Sequence, residues 1–203
     1  MNYLAIDTSS KNLIIVLCKD GEIFSTFDNE CGIKHSDKVM VEVEKLIEKA
    51  NFNLSSADFI ACVTGAGSFT GIRIGVSTVK ALCFAKGLPF LEVTAFDTLA
   101  YNISNGKVLA VIDAGHDGFY ACGYQDRKIS LPPCYLMKEE IISLSEEYQI
   151  VAEKEIEGLL VKTVNPLYGL PTAIEDKKHL IDSNLDNLVP LYVRKSQAEE
   201  GRK

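Results

Sequence analysis

Several features that define common protein classes are missing from this chain of 203 residues. No stretch approaches the ~20 consecutive apolar residues that a transmembrane helix needs. The N-terminus lacks the basic segment and the cleavage site of a signal peptide, so we expect a cytoplasmic protein. The six cysteines form no Cys-x-x-Cys pair and most lie within apolar runs, which predicts reduced, structural thiols.

Basic residues are also scarce relative to acidic ones. The 21 lysines and arginines face 28 aspartates and glutamates, which gives a formal net charge of -7 at pH 7. Nucleic-acid binding relies on lysine and arginine that displace counterions from phosphates. The chain alone is therefore not expected to bind RNA and would need a basic partner to do so.

What the chain does contain is enough apolar sequence for a core, arranged as alternating strands and helices. Hydrophobic residues make up 47% of it. The first half predicts three strands, a helix capped by Ser36, a strand, a second helix and a strand, at residues 3–8, 12–19, 22–28, 36–50, 59–64, 71–85 and 90–93. This order predicts an α/β fold of the ribonuclease-H-like type.

The second half begins with a similar pattern. Strands at 107–114 and 119–124 repeat the opening of the first half, and they are followed by a helix at 138–148, a strand at 150–152 and a helical stretch within 174–185. This half looks too short to rebuild the whole first-half pattern. We therefore predict an N-terminal lobe of residues 1–104 and a smaller C-terminal lobe of related topology at 105–203.

The predicted helix at 71–85 is apolar on almost every side. Such a helix must be covered on more than one face. We expect the sheet to cover one face and a second polypeptide chain to cover another. A helix sandwiched within this chain is the alternative.

A glycine-rich turn joins the strand at 59–64 to this helix and reads Gly65-Ala66-Gly67-Ser68-Phe69-Thr70-Gly71. Glycines at a helix N-terminus allow an anion to approach the backbone closely, although a tight strand-to-helix turn would also use them. The turn is not a known phosphate loop. A dinucleotide fingerprint would need glycine at Thr70, and the Gly-Lys-Ser or Gly-Lys-Thr of a Walker loop occurs nowhere in the chain.

Five segments taken together resemble the TsaB family, also called YeaZ. They are Leu4-Ala5-Ile6-Asp7-Thr8-Ser9, His35-Ser36, the glycine-rich turn extended to Gly75, Ile112-Asp113-Ala114 and Pro190-Leu191-Tyr192-Val193-Arg194. The chain departs from the family at Ala66, where proline is usual, and at Gly115, where arginine usually follows Asp113-Ala114. The resemblance implies the fold shared by actin and sugar kinases, with two lobes of which the second is reduced.

The resemblance also implies a function. TsaB-like proteins are non-catalytic subunits of the complex that installs threonylcarbamoyladenosine in tRNA beside the anticodon. They bind and activate a TsaD-type transferase, and a TsaE-type ATPase joins the assembly. The resemblance further implies a homodimer when the chain is alone, tRNA contact only through the complex and no tightly bound cofactor, with ATP or ADP expected at the junction with the partner.

Residue-by-residue comparison supports a chain without its own reaction centre. In the TsaD-like sister family a His-x-x-x-His metal pair lies on the helix that follows the strand equivalent to 90–93, whereas here Ala95 and Leu99 occupy those positions. The three histidines, His35, His116 and His179, have no metal-ligand spacing. For His35 we expect capping or partner contact. An actin-like small-molecule kinase or ATPase, an inactive glycoprotease-like metallopeptidase homologue and a homodimeric scaffold without a tRNA role remain as alternatives.

Two groups of residues are candidates for function. We expect the helices at 36–50 and 71–85 to pack side by side and to present a face to the partner. Its apolar part is formed by Val39, Val43, Leu46, Ile72, Val76, Val79 and Cys83, and Arg73 and Lys80 supply polar contacts at its rim. Gly71 and Gly75 would let a partner helix approach closely, and Val79→Asp would weaken the complex without unfolding the chain.

The second group is nucleotide- or phosphate-facing. In actin-like enzymes, aspartates that end the first strand of each half organise magnesium and phosphate, which makes Asp7 and Asp113 the candidate facing pair. Simple capping of a turn is the alternative role for Asp7. The complete group is Asp7, Thr8, Ser9, Gly67, Ser68, Thr70 and Asp113.

Overall fold

The structure is a computed structural model that describes residues 1–29, 31, 34–115 and 117–194. These residues form two compact units. Unit 1 comprises Met1–Thr94 and Ile174–Pro190, and unit 2 comprises Ala95–Ala173 and the described residues from 191 onward. The division differs from the predicted boundary between 104 and 105. A short helix at Ala95–Ala100 contacts strands of unit 2, and the segment 174–190 returns to unit 1.

Unit 1 contains the predicted mixed sheet. Its strands are β1 (Tyr3–Asp7), β2 (Leu13–Lys19), β3 (Glu22–Asp28), β4 (Phe59–Val63) and β5 (Phe90–Val93), in the spatial order β3-β2-β1-β4-β5. β1 is antiparallel to β2 and parallel to β4, so the carboxyl ends of β1, β4 and β5 lie at one edge of the sheet. The predicted order of strands and helices in the first half is confirmed.

Helices α1 (His35–Lys49) and α2 (Phe69–Lys86) pack on this sheet and contact each other. The prediction that Ser36 caps α1 is wrong, because the helix starts at His35 and Lys34 occupies the N-cap position. The Ser36 hydroxyl instead donates to Asp37 Oδ1. α2 begins two residues before the predicted start, where the Ser68 hydroxyl accepts a hydrogen bond from the Gly71 amide, and it ends at Gly87 in the left-handed conformation.

The inner faces of both helices fill the core of unit 1. Val39, Val43 and Leu46 of α1 pack with Ile72, Val76, Val79 and Cys83 of α2 in one cluster with the sheet, and none of these side chains is more than 5% exposed. The prediction that they face a partner is therefore wrong. Apolar residues at helical spacing share a face, but the spacing does not say whether the chain's own sheet or another protein covers that face.

Unit 2 contains a second sheet with the same pattern of strands. β6 (Lys107–Gly115), β7 (Gly118–Gln125), β8 (Lys128–Met137), β9 (Gln149–Ala152) and β10 (Val161–Thr163) lie in the order β10-β9-β6-β7-β8. β6 is antiparallel to β7 and parallel to β9, as β1 is to β2 and β4. The second half thus rebuilds all the strands of the first.

The reduction of the second lobe lies in its helices. Between β9 and β10 the chain forms turns and bends rather than a counterpart of α2, and α4 (Lys138–Leu144) is half as long as α1. The remaining helices are α3 (Ala95–Ala100) and α5 (Pro166–Lys177). The helical stretch predicted within 174–185 is confirmed in part, because residues 174–177 are the end of α5, which starts at Pro166, and only short 3-10 turns follow it.

Two strands of unit 2 escaped the sequence analysis, the short β10 and the longer β8. β8 contains Pro132 and Pro133, which usually interrupt a strand. The strand lies at the edge of its sheet, where a residue without an amide proton breaks no ladder, and the register shifts near its prolines. Among the described residues, none of the helices combines the length and the apolar character needed to cross a membrane.

The burial of Val79 predicts the outcome of Val79→Asp. Val79 is 0% exposed, so the change places an unpaired carboxylate in the core of unit 1 and should reduce the free energy of unfolding by about 3 kcal/mol or more. Urea denaturation followed by circular dichroism measures this. Ser77→Asp, at an exposed position of the same helix, is the matched control and should change stability by about 0.5 kcal/mol or less. A native-like stability for Val79→Asp would contradict the core assignment.

Two core thiols predict a loss of stability in alkali. Burial raises the pKa of Cys83 to about 11 and raises the pKa of Cys62 well above its usual range, where Asp7 and Glu92 add to the effect. A raised thiol pKa stabilises the fold fully below the unfolded pKa of about 8.5, and this contribution is lost as the pH rises through the folded values. The free energy of unfolding should therefore fall by about 1–2 kcal/mol for Cys83 between pH 8 and 11. Cys83→Ala should flatten this decline in urea titrations, and an unchanged slope would contradict it.

Candidate functional site

The segments that follow β1 and β4 meet at the carboxyl edge of the unit 1 sheet. The two strands are parallel, with Ile6 opposite Cys62, so the turn 7–9 and the glycine-rich turn leave the sheet side by side. In open α/β sheets this edge is where ligands bind. The structure thus places Asp7, Thr8, Ser9, Gly67, Ser68 and Thr70 on neighbouring segments of unit 1, as the sequence predicts.

Two hydrogen bonds connect these two segments. The Ser68 amide donates to the Ser9 carbonyl oxygen at 2.7 Å, and the Thr8 hydroxyl donates to the Gly71 carbonyl oxygen at 2.7 Å. Both bonds cross from the end of β1 to the start of α2. The helix start is therefore held against the turn that follows β1.

Glycine is required where these segments touch. A Cβ atom at Gly67 would lie 2.1 Å from the Ser9 carbonyl oxygen, and one at Gly71 would lie 2.0 Å from the Thr8 carbonyl oxygen. At Gly75 a Cβ atom would meet the Thr8 hydroxyl at 2.6 Å. The close approach that these glycines permit is thus made by the chain's own backbone. The prediction that Gly71 and Gly75 admit a partner helix is wrong for this reason.

Asp7 holds the turn that makes this contact. Its Oδ1 accepts hydrogen bonds from the Ser9 amide at 2.8 Å and the Ser9 hydroxyl at 2.7 Å, and the side chain is 2% exposed. Thr8 and Ser9 are equally buried. The turn-capping role, which the sequence left open as an alternative, is what the geometry of Asp7 supports. A phosphate-facing role for this group stays a prediction.

Asp113 belongs to unit 2 and is exposed near the end of β6. Its Oδ1 accepts a hydrogen bond from the Gly115 amide at 2.7 Å, and Gly115 has a positive φ of 77°. The register of β6 shifts between these two residues, so Asp113 stabilises an irregular strand end. The facing arrangement of Asp113 and Asp7 stays a prediction.

The histidines do not form a reactive group among the described residues. His35 is 3% exposed, and its Nε2 lies 2.9 Å from the Asn12 carbonyl oxygen, to which it donates. It therefore ties the start of α1 to the β1–β2 turn. His179 is exposed in unit 1, and His116 lies outside the described residues. The described part of the chain has no cluster of three or more potential metal ligands.

Helix α3 of unit 2 carries a buried carboxylate that sequence reasoning missed. Asp97 is 0% exposed and accepts a hydrogen bond from the Tyr124 hydroxyl at 3.0 Å. Ala95 and Leu99, on the same helix, are buried and have no side-chain donor atoms for a metal. The sequence signal that could have identified Asp97 is that it is the one acidic residue in the otherwise uncharged run Ala95–Ala100. The hydrogen bond from Tyr124 ties α3 to β7 of unit 2.

The sequence also did not predict which side chains of α2 are exposed. Phe84 is 83% exposed, Arg73 is exposed and Lys80 is half-exposed. On α1, Met40 and Val41 are 38% and 46% exposed. We call these five residues the outer face of α1 and α2. Of the predicted interface residues, only Arg73 and Lys80 belong to it.

Comparison with known proteins assigns the family. A family model described as "TsaD: tRNA N6-adenosine threonylcarbamoyltransferase" matches residues 29–176. The TsaB protein of Haemophilus influenzae is 29% identical over 225 residues, which cover 96% of this chain and 94% of that protein. The chain belongs to the TsaB family. TsaB of Escherichia coli K12 is 32% identical over 129 residues, and this match spans 62% of the chain and 55% of the relative.

Solved structures of TsaB-family proteins share the fold. YeaZ from Pseudomonas aeruginosa superposes with a TM-score of 0.76 at 23% identity, covering 94% of this chain and 99% of that one. A second Pseudomonas aeruginosa structure, described as similar to peptidase YEAZ, gives a TM-score of 0.79 at 22% identity, covering 95% and 99%. The predicted α/β fold of the actin-like type is thereby confirmed.

The packing at Gly71 and Gly75 predicts an inverted effect of alanine. Glycine to alanine inside a helix ordinarily stabilises by about 0.5–1 kcal/mol. Here Gly71→Ala should destabilise by about 1–3 kcal/mol, because its Cβ would overlap a backbone oxygen. Gly75→Ala should cost less, since the Thr8 hydroxyl can move. Chemical denaturation measures both variants.

Two controls test the cause of this effect. Ser77→Ala changes an exposed position of α2 and should leave stability nearly unchanged. Thr8→Ala removes the atom that Gly75→Ala would strike, so the double variant should be less destabilised than the sum of the single variants. Additive losses, or stabilisation by Gly71→Ala, would contradict the proposed contact.

Proposed function

We propose that this TsaB-family chain is a non-catalytic subunit of the machinery that makes threonylcarbamoyladenosine in tRNA. The observation that carries the proposal is the match to Haemophilus influenzae TsaB along nearly the whole of both chains. That protein and the Escherichia coli and Bacillus subtilis relatives are each named a tRNA threonylcarbamoyladenosine biosynthesis protein.

The burial of the polar side chains that follow β1 supports a role without catalysis. Asp7, Thr8 and Ser9 are buried and bonded within unit 1. On α3, the positions that hold metal ligands in the sister family carry Ala95 and Leu99. Catalysis needs groups that can reach a substrate, so these arrangements favour an accessory subunit.

The partner in this proposal is a TsaD-type transferase that binds the outer face of α1 and α2. Phe84 projects from α2 as an aromatic side chain of the kind that dominates binding energy at interfaces. Arg73 and Lys80 lie on the same helix and can supply polar contacts at its rim. Docking there would cover the side of α2 that the sheet does not, and a second copy would cover it when the partner is absent.

Net charge bears on how tRNA would meet the assembly. With a net charge of -7, the chain is unsuited to bind tRNA alone, so tRNA reaches it only through the complex. A TsaE-type ATPase would join the complex, and ATP or ADP would bind at the junction with the partner. The subunit would act by holding the transferase in a competent arrangement.

The exposed aromatic ring predicts the effect of Phe84→Glu. A charge at this position should weaken binding to the TsaD-type partner by at least about 2 kcal/mol, which is roughly 30-fold in Kd, while the fold is retained. Isothermal titration calorimetry measures the affinity. Leu160→Glu is the matched control, because Leu160 is 94% exposed in unit 2 and lies outside the proposed face. Equal affinities for Phe84→Glu and the unchanged chain would refute this surface.

The accessory role predicts the result of a reconstituted modification assay. The TsaD-type and TsaE-type proteins, the threonylcarbamoyl adenylate that donates the group, ATP and unmodified tRNA should form threonylcarbamoyladenosine only when this chain is added. Phe84→Glu should need a higher concentration to restore the reaction, and Leu160→Glu should not. Full modification in the absence of the chain would contradict the proposed role, as would ATP turnover by the isolated chain.

A further inference from the structure

The segment at residues 181–188 lies along the open edge of the unit 1 sheet, and we call it the strap. Asp182 forms an antiparallel bridge with Phe90 of β5. The Phe90 amide donates to the Asp182 carbonyl oxygen at 2.8 Å, and the Asp182 amide donates to the Phe90 carbonyl oxygen at 2.9 Å. Because β5 is the last strand of its sheet, the strap pairs with an edge that would otherwise be open.

The strap is also embedded beside α2. Leu188 is 0% exposed and belongs to the core cluster that contains Val76, Val79 and Cys83 of α2. Leu185 packs against the same cluster, and the 3-10 turn Leu185–Asn187 contacts α2. The strap is thus fixed to both β5 and α2.

Asp182 organises the strap internally. Its Oδ1 accepts a hydrogen bond from the Asn184 amide at 2.8 Å, and its Oδ2 accepts one from the Asn187 side chain at 2.6 Å. The hydrogen bond from Asn187, and after it the one from the Asn184 amide, holds the pKa of Asp182 below its usual range. One carboxylate therefore closes the turn that carries Leu185 and Leu188 into the core.

A short chain of contacts connects the strap with the exposed end of α2. Phe90 follows Pro89, whose carbonyl oxygen accepts from the Cys83 thiol at 3.6 Å. The Leu88 amide donates to the Cys83 carbonyl oxygen at 3.0 Å. Cys83 is buried, whereas its neighbour Phe84 points outward. The last turn of α2 is accordingly held from its inner side by β5 and the strap.

We propose that the strap braces the C-terminal half of α2 and that Asp182 is its positioning residue, so that the strap sets the geometry of Phe84 for partner binding. This inference rests on the function proposed above. An interface residue held in its bound position before association loses less conformational entropy on binding. A loosened strap would leave the chain folded but would lower its affinity for the TsaD-type partner.

The test compares Asp182→Ala with Asp186→Ala in the full-length chain. Both variants remove one negative charge from the same turn, but the hydrogen bonds described above use the carboxylate of Asp182. Hydrogen exchange is measured at the Phe90 and Leu88 amides, and affinity for the TsaD-type partner is measured by calorimetry below the melting transition. We expect Asp182→Ala to speed exchange at both amides and to raise Kd roughly 3- to 10-fold. Asp186→Ala should change neither.

The outcomes separate this inference from the proposed function. Faster exchange with an unchanged Kd, or unchanged exchange, would overturn the bracing role if Phe84→Glu still weakens binding. If Phe84→Glu also leaves Kd unchanged, the proposed partner surface is wrong and the inference falls with it. Should Asp182→Ala fail to fold, Asp182→Asn keeps one acceptor oxygen and is judged by the same two readouts.

Discussion

The contact between the turn after β1 and the start of α2 is the constraint on which the rest of unit 1 depends. Gly67 and Gly71 bring the helix against the backbone of Thr8 and Ser9 at distances that a side chain would block. The contact directs Ile72, Val76, Val79 and Cys83 into the core and leaves Phe84 outside. It also buries Asp7, Thr8 and Ser9 at the edge where related architectures bind ligands. The same contact therefore buries the polar side chains that follow β1 and leaves one face of α2 outside the core.

The two units share a strand pattern but differ in the helices that pack on it. Both sheets have five strands in the same order, but unit 2 has turns where unit 1 has α2. A sheet needs helices to cover its faces, and a shorter set of helices covers less. The long helices α1 and α2 belong to unit 1, and so does the proposed partner surface.

Local sequence signals located most of the strands and helices but did not predict which other segments pack against them. The bounds of β3 and β5 agree with the prediction, since both strands are enclosed by turn residues and by changes in apolar pattern. β8 was missed because its prolines are tolerated only at a sheet edge, and edge position is a property of the whole sheet. Asp97 was missed because its partner Tyr124 lies 27 residues away on another element.

By itself the sequence determined the family, the order of the first-half elements and the lack of metal ligands at Ala95 and Leu99, since these depend on residue identity and local spacing. Only the tertiary structure decided that Val39, Val79 and their neighbours are core, that Gly71 packs against Thr8, and that Phe84 is exposed. The physical reason is that burial depends on contacts between segments distant in sequence. Helical periodicity reports which residues share a face, and folding alone decides what lies against it.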